Sequence, residues 1–306
     1  MCKVHASIKI NRVPSGRLLL TSLDSFRKYG KDGYPSSVSK LSTCAFIIVC
    51  LTLIEHTLRQ LLSSFQKSHP LLEDEMNRIN VAKQIGVNAV SLGTISYLGF
   101  KARYILKDIA DAVFRKEATM ATTYDKRLFK YYPESAQIAV FFLGYQIKNA
   151  YDSIIWNDGV LLIGHHILAF FVAFGVVFPG SAHFYVPFYL GFSEASSFAL
   201  SVLVNFDDEH GVKGLGDEFP LLKAGIGALF AVLFIICRVF IWSTVSYFYC
   251  RDVWNVLKTN DRRLIGRTWF FKFTFVALGL LSILQAIWLV EIFRVGKEIL
   301  ENANIL

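Results

Sequence analysis

Long apolar runs recur along this chain and restrict what it can fold into. Stretches such as "LSTCAFIIVCLTLIEHTLRQLL", "LLKAGIGALFAVLFIICRVFIW" and "FFKFTFVALGLLSILQAIWLVEIF" have the length that an α-helix needs to cross a bilayer, roughly 20 residues. Backbone polar groups in hydrocarbon must be paired within the protein, so such runs fold as helices. We therefore predict an all-α, multi-pass transmembrane helical bundle of about seven spans. The predicted spans are 41–62, 81–100, 136–155, 159–178, 183–204, 222–249 and 270–293.

The composition favours a membrane protein and argues against other classes. Of the 306 residues, 54% are hydrophobic, and the mean hydropathy is +0.43, above that of a soluble globular domain. The five cysteines are scattered without a C-x-x-C spacing, so we expect neither a disulfide framework nor a metal site. We attribute the net charge of +8 to loops facing an anionic leaflet, and no nucleic-acid partner is expected.

The two ends of the chain are predicted to lie outside the bundle. The first forty residues are polar and basic without an early apolar core, so no cleavable signal peptide is expected. Their glycines, prolines and serines predict a flexible basic tail over 1–40, followed by the first transmembrane helix over 41–62. A C-terminal tail is predicted over 297–306.

Charge placement predicts an orientation in the membrane. Lysine and arginine are concentrated in the N-terminal tail, in the loop 103–130 and in the segment 251–272, whereas the alternate loops hold few. Short cytoplasmic loops are the ones enriched in these residues. The pattern predicts a cytoplasmic N-terminus and a C-terminus on the other side.

Charged residues in the third span are the first candidates for chemistry. In "AQIAVFFLGYQIKNAYDSIIW", Lys148 and Asp152 are four residues apart, so they share a helical face and can pair. A buried ion pair adds little net stability but is costly to break. Two roles remain open for this pair: locking helix packing, or serving a substrate cavity.

Adjacent histidines interrupt the fourth span, in "GHHILAFF". Neighbouring residues on a helix point about 100° apart, so His165 and His166 are not expected to hold one metal ion together. One ring could face the bundle interior as general base or nucleophile while the other bonds an adjacent helix and fixes its orientation. Alternatively, both rings only form hydrogen bonds between helices. Both alternatives stay open.

Further ionisable residues lie within the fifth and sixth spans. Glu194 is followed by the small residues Ser196 and Ser197, and Arg238 lies deep within "LFIICRVFIW". A Glu and an Arg buried on consecutive spans are expected to pair, because charges within a membrane are costly when unpaired. With the residues above they predict a polar interior, as a site for a lipid with a polar head requires.

The order of these elements resembles a known domain. The series "YDKRLFKYYPES…FFLGYQIKNAYDSI…GHHILAFF…GFSEASSFALSVLVNF…CRVFIW" is similar to the TLC domain shared by translocating-chain-associated membrane proteins, ceramide synthases and the CLN8 protein. The most specific elements are Gly144 and Tyr145 with Asp152, the paired histidines, the glutamate with small residues, and the late arginine. The resemblance covers 76–296 and implies six spans forming a barrel around a central cavity.

The resemblance also implies roles for residues. In an acyl-CoA-dependent lipid N- or O-acyltransferase, the implied catalytic residues are His165 and His166, with Asp152 orienting an imidazole. The implied lipid-binding residues are Lys148, Tyr145, Glu194, Ser197 and Arg238. No cofactor is expected, with acyl-CoA as co-substrate if the protein is an acyltransferase.

Some departures separate the chain from ceramide synthases. The helix that would carry their aspartate pair reads "GFSEASSFALSVLV", and Asn88 stands where many relatives have a histidine. The broader TLC-domain-containing proteins are therefore the better match. The family usually has a cytosolic C-terminus, which disagrees with the orientation predicted from charge.

Three functions remain open from the sequence. The first is lipid binding in an intramembrane cavity, in sphingolipid, ceramide or phospholipid homeostasis. The second is ceramide-synthase-like acyl transfer, and the third is an accessory role in trafficking or translocation. Membrane lipids are the expected partners, and a homo-oligomer is considered. The endoplasmic reticulum is the expected location, with the Golgi or plasma membrane as alternatives.

Overall fold

The chain is built from α-helices. The computed structural model describes residues 36–115, 119–259 and 261–302, and these ranges are helical without a β-strand. The predicted all-α, multi-pass bundle is therefore confirmed. The labelled helices are α1 (Ser37–Ser64), α2 (residues 75–101), α3 (Arg103–Phe114), α4 (Tyr124–Phe129), α5 (Pro133–Trp156), α6 (Val160–Val177), α7 (residues 183–206), α8 (Pro220–Thr259) and α9 (Thr268–Asn302).

Three of the helices, α2, α7 and α8, contain wider, π-helical turns, and α7 is also broken into pieces. In α2 the wider segment is Ala82–Ala89, and in α8 it is Ile235–Ile241. Helix α7 consists of the short turns His183–Tyr185 and Phe188–Phe192, the regular helix Glu194–Leu203 and the terminal turn Val204–Phe206. Such turns occur often at functional sites in helices. Arg238 lies within the π-helical turn of α8, and Glu194 lies two residues after the turn Phe188–Phe192 of α7.

Local sequence signals explain where several helices begin and end. The Ser36 side chain caps α1 by accepting a hydrogen bond from the Ser39 N–H. Proline occupies the first position of α5 and of α8, where its missing N–H costs nothing. Helix α5 ends at Asn157 in the left-handed conformation, and Gly159 (φ 92°) precedes α6. The short link makes α5 and α6 antiparallel neighbours.

Within the described residues, four helices are long and apolar enough to cross a membrane. They are Ser37–Ser64, Val160–Val177, Pro220–Thr259 and, within α9, Thr268–Glu298. The other predicted spans coincide with α2, α5 and α7, which hold more polar side chains or are broken. Seven spans therefore stays a prediction, whereas several crossings of the membrane are supported by length and composition.

Six helices close into a ring. Around it, α2 packs on α5, α5 on α6, α6 on α9, α9 on α8, α8 on α7, and α7 on α2. Helix α1 lies outside this ring against α2 and α5. The closed order matches the barrel that the family resemblance implied for six of the spans.

The connecting segments gather at two opposite ends of the bundle. At the first end Arg127 contacts Asp252 at 2.6 Å, and the Lys40 amine donates to the Val177 carbonyl at 2.8 Å. We call this the basic end; it comprises the described residues of the segments 102–115, 119–132, 178–183 and 261–268. At the other end His69 contacts Glu218 and Lys83 contacts Asp158, each at 3.2 Å. We call this the acidic end; it comprises 65–80, 157–159 and 207–219.

Helical structure extends into regions where the sequence predicted tails or loops. Helix α1 begins at Ser37, and α9 continues to Asn302, so parts of both predicted tails are helical. The remainder of these tails, 1–35 and 303–306, lies outside the described residues. The basic loop 103–130 contains α3 and α4, which were not predicted because neither is an apolar run of membrane length.

Candidate functional site

A narrow cavity lies inside the ring. Side chains of α5, α6, α7, α8 and α9 line it, and its volume is about 80 Å³. Most of its wall is apolar, including Phe142, Ala169, Val172, Leu278 and Leu281. The space therefore suits an apolar chain, and its few polar side chains determine what else can bind.

Four polar side chains meet at one part of the cavity, and two of them belong to its wall. Glu194 and Arg238 both line the cavity, and the Arg238 guanidinium donates to the Glu194 carboxylate at 2.8 Å. Arg238 also donates to the hydroxyls of Ser197 at 2.9 Å and Ser196 at 3.3 Å. The pairing expected from the sequence is present. Because the charges are matched and the hydroxyls accept from the guanidinium, this part of the wall is polar but close to neutral.

The two adjacent histidines point in different directions. His165 lines the cavity, and its ring lies edge-on to the Trp288 ring with centroids 5.2 Å apart. The His165 Nδ1 atom is buried and has no hydrogen-bond partner among the described residues. His166 is turned toward α5, where Nδ1 lies 3.1 Å from the Gln146 Oε1. His165 is thus the histidine that a bound molecule can reach.

A hydrogen-bonded chain holds His166 in place. Asn149 lies 3.3 Å from the His166 Nε2, and its amide donates to the Tyr145 hydroxyl at 3.0 Å. Tyr145 in turn donates to the Asn88 carbonyl oxygen at 3.3 Å, which extends the chain to α2. The hydrogen-bonded chain therefore connects α2, α5 and α6, and Tyr145 is not among the residues that line the cavity. Its implied role as a lipid contact has no support in this geometry.

Lys148 and Asp152 lie on the outer side of α5. Lys148 pairs with Asp152 and also contacts Glu55 of α1 at 2.7 Å. The hydrogen bonds of His166 go to Asn149 and Gln146, so Asp152 does not orient the imidazole as expected. Neither Lys148 nor Asp152 lines the cavity. Of the two roles left open, the geometry favours helix packing, with α1 attached to the ring through this cluster.

Comparison with known families identifies the domain. A family model for the TLC domain (TRAM/LAG1/CLN8) matches residues 86–294, which is more than half of the chain. The chain belongs to the TLC-domain family. The matched range runs from within α2 to α9 and so includes nearly all of the ring. No curated protein and no solved structure matched the chain significantly.

The TLC domain contains a second polar cluster that the sequence did not reveal. The Arg127 guanidinium makes two hydrogen bonds of 2.6 Å to the Asp252 carboxylate, and the Tyr185 hydroxyl donates to the same carboxylate at 2.5 Å. Arg127 and Asp252 are 3% and 0% exposed, so the pair is fully desolvated. Both residues lie in segments rich in charged residues, so nothing in the sequence distinguishes these two buried charges from their exposed neighbours.

Tyr185 joins this second cluster to the TLC-domain cavity. Its ring lines the cavity, and it lies edge-on to Tyr249, which also lines it, with centroids 5.1 Å apart. The Tyr249 hydroxyl is bonded to Thr274 at 2.6 Å, and the Tyr189 hydroxyl to Ser246 at 3.1 Å. The hydroxyls of Tyr185, Tyr189 and Tyr249 are therefore already paired, unlike the Nδ1 atom of His165.

Proposed function

We propose that this TLC-domain protein binds a membrane lipid in the cavity of its ring and acts in membrane lipid homeostasis. The observation that carries the proposal is a mostly apolar cavity inside a closed helical ring, with His165 and the Glu194–Arg238 pair on its wall. Bound lipids of this kind would include sphingolipids and phospholipids. The endoplasmic reticulum is the first compartment in which we would look for it.

Selective binding of a lipid is expected to depend on the few polar side chains of the cavity wall. A lipid chain that moves from the bilayer into the cavity exchanges one apolar surrounding for another, so little free energy is gained from burial alone. Selectivity then depends on the few polar groups that the chain or its head meets. The lining residues that carry polar groups are His165, Tyr185, Tyr189, Glu194, Arg238, Trp242, Tyr249 and Thr274.

Mass spectrometry of lipids that co-purify with the protein tests the proposal. Leu281 lines the cavity and is 8% exposed, whereas the adjacent Leu280 points outward and is 46% exposed. We expect the wild type and Leu280→Trp to retain a stoichiometric lipid, and Leu281→Trp to lose it. Ala169→Leu, a smaller change inside the cavity, should give a partial loss. If Leu280→Trp and Leu281→Trp retain the lipid equally, lipid binding inside the cavity is contradicted.

A second candidate function, acyl transfer from acyl-CoA, is favoured by the position of His165. Its unpaired Nδ1 could take the proton of an amine or hydroxyl acceptor in the cavity. The acceptor would attack the thioester carbonyl, the carbon–sulfur bond would break, and the coenzyme A thiolate would leave and take up the proton. Acyl-CoA would be the co-substrate.

An assay with radiolabelled acyl-CoA separates this function from binding alone. If acyl transfer occurs, His165→Ala should reduce turnover by about 10²- to 10⁴-fold, the range typical of a lost general base. Retained turnover in a His165→Ala/His166→Ala variant would exclude histidine catalysis. A bound lipid without turnover in the wild type would leave binding as the function.

A further inference from the structure

Gln285 has a buried side-chain amide for which the described residues provide no hydrogen-bond partner. The side chain lies on α9 and is 3% exposed, and neither its Nε2 nor its Oε1 has a hydrogen-bond partner among the described residues. Burying an amide without a hydrogen bond is costly, so such groups in proteins require an explanation. A bound molecule that supplies the missing bonds is one explanation that the surroundings of Gln285 support.

The position of Gln285 on α9 places it next to the cavity. Thr274, Leu278 and Leu281 line the cavity from one face of this helix. Gln285 continues that face one turn beyond Leu281, and Trp288, whose ring contacts His165, lies a further turn along. Helix geometry therefore places Gln285 just beyond the lining residue Leu281 and one turn from Trp288, the ring that contacts His165.

His165 and Gln285 provide complementary unused hydrogen-bonding groups. An amide offers two donors and one acceptor, and a neutral imidazole nitrogen donates or accepts according to its tautomer. The charged side chains on the cavity wall, Glu194 and Arg238, are already paired with each other at 2.8 Å. An anionic or cationic group at this position would face no free opposite charge, whereas an uncharged group that both donates and accepts would satisfy Gln285.

We infer that Gln285 and His165 form a polar subsite that binds the hydroxyl or amide group of a lipid whose chain occupies the cavity. The inference rests on the proposed function, since it names the chemical class of the lipid. A methyl ester, which only accepts, would leave the Gln285 Oε1 unpaired, and a plain hydrocarbon would leave both Nε2 and Oε1 unpaired. Recognition by unpaired buried polar groups discriminates strongly against analogues that lack the matching group.

Competition between simple probes of equal chain length tests this subsite. The purified full chain is labelled with a photoreactive diazirine fatty-chain probe, and a fatty alcohol, a primary fatty amide, a fatty acid methyl ester and an alkane are compared as competitors. Since about 1.4 kcal/mol corresponds to tenfold in affinity, we expect the alcohol, the amide or both to compete about tenfold better than the ester and alkane. Which of the two competes better shows whether a hydroxyl or an amide is the natural group.

The Gln285→Leu variant then locates the preference. We expect it to bind all four probes about equally, and to unfold at a higher temperature than the wild type without ligand, because two unpaired buried atoms are removed. Ser282→Ala is the matched control on the same helix: Ser282 already accepts from the Trp242 indole at 3.0 Å, so this variant should keep the probe preference.

Two outcomes would overturn the subsite in different ways. Probe binding without any preference in the wild type, or a preference that Gln285→Leu retains, would refute the subsite and leave lipid binding intact. Failure of the wild type to bind any probe would refute the proposed function itself.

Discussion

The ion pair between Glu194 and Arg238 is the main charged contact on the cavity wall. Both side chains lie within helices of the ring, with the residues 7% and 6% exposed. Removing one member of a buried pair leaves an uncompensated charge, which typically costs about 3–5 kcal/mol. We therefore expect Arg238→Met to lower the thermal stability strongly, as measured by the unfolding temperature in detergent.

The double variant is the control for this pair. Glu194→Gln/Arg238→Met removes both charges, and replacement of a buried pair by neutral groups is often close to neutral. The double variant should therefore be clearly more stable than Arg238→Met alone. If the loss of stability in the double variant equals the sum of the losses in Glu194→Gln and Arg238→Met, the two residues are not coupled.

The two histidines are expected to differ in their effect on stability. His166 is 8% exposed and bonded to Asn149 and Gln146, so His166→Ala removes the partner of the buried Gln146 Oε1, at a cost of about 1–3 kcal/mol. His165 lines the cavity and its buried Nδ1 has no hydrogen-bond partner among the described residues, so His165→Ala should change stability little while it alters lipid binding. Thermal unfolding of both single variants checks this difference. Equal destabilisation would contradict the division between them.

The sequence alone could predict the residue types at the site but only part of their placement. The angle between adjacent helical residues predicted that the histidines diverge, and the need to neutralise charge predicted the Glu194–Arg238 pair. The pairing of Lys148 with Asp152 was predicted from their spacing, but Glu55, the third member of that cluster, was not, because it is distant in sequence. Gln285 was not a candidate, since an isolated amide in an apolar run carries no pattern.

At the scale of helices, α2 and α7 cross where two glycines meet. A Cβ added at Gly99 would lie 2.5 Å from the Phe192 nitrogen and 2.8 Å from backbone atoms of Gly191. Backbone atoms cannot move aside as a flexible side chain can. Small residues at such crossings allow helices in membranes to approach closely.

We expect Gly99→Ala to force the two helices apart and to destabilise the protein by about 1–3 kcal/mol, as overpacking generally does. Gly279→Ala on α9 is the control, because a Cβ there meets no atom within 4 Å. The unfolding temperatures of the two variants give the comparison. A Gly99→Ala variant as stable as Gly279→Ala would show that α2 and α7 do not cross this closely.

Each of the seven predicted spans coincides with a helix, whereas the short helices α3 and α4 were not predicted. Helices α1, α6, α8 and α9 were evident because each contains a run of membrane length. The break in α7 was missed, since its apolar sequence reads as one continuous span. Helix α3 was missed because its buried residues, Ile105, Ile109 and Ala112, form only a narrow apolar face in a basic segment.

For the whole molecule, the separation of basic and acidic ends permits a direct test of orientation. Enrichment of lysine and arginine predicts that the basic end is cytoplasmic. In a variant whose five native cysteines are replaced by alanine, single cysteines are introduced at the exposed positions Arg262 and Glu209. In sealed vesicles with the cytoplasmic face outward, we expect an impermeant maleimide to label Arg262→Cys at once and Glu209→Cys only after permeabilisation. The reverse pattern would place the acidic end in the cytosol.

The orientation also bears on acyl transfer. His165 is five residues from the start of α6 at the acidic end, so its Cα lies about 8 Å along the helix from that start. Acyl-CoA carries charged phosphates and does not cross a bilayer. A cytosolic acidic end would let acyl-CoA approach His165 directly, whereas a cytosolic basic end would favour lipid binding without acyl transfer.

Occupation of the ring cavity by a lipid is tested most directly by mapping where a lipid is attached. A diazirine-bearing fatty-chain lipid is photolysed with the purified protein, and the labelled residues are identified by mass spectrometry of peptides. We expect labels on inward-facing residues such as Val172, Leu278 and Leu281, and their loss in Leu281→Trp. Labels confined to outward-facing residues such as Leu280 and Ile283 would show that lipid contacts only the outer surface, and would contradict binding inside the ring.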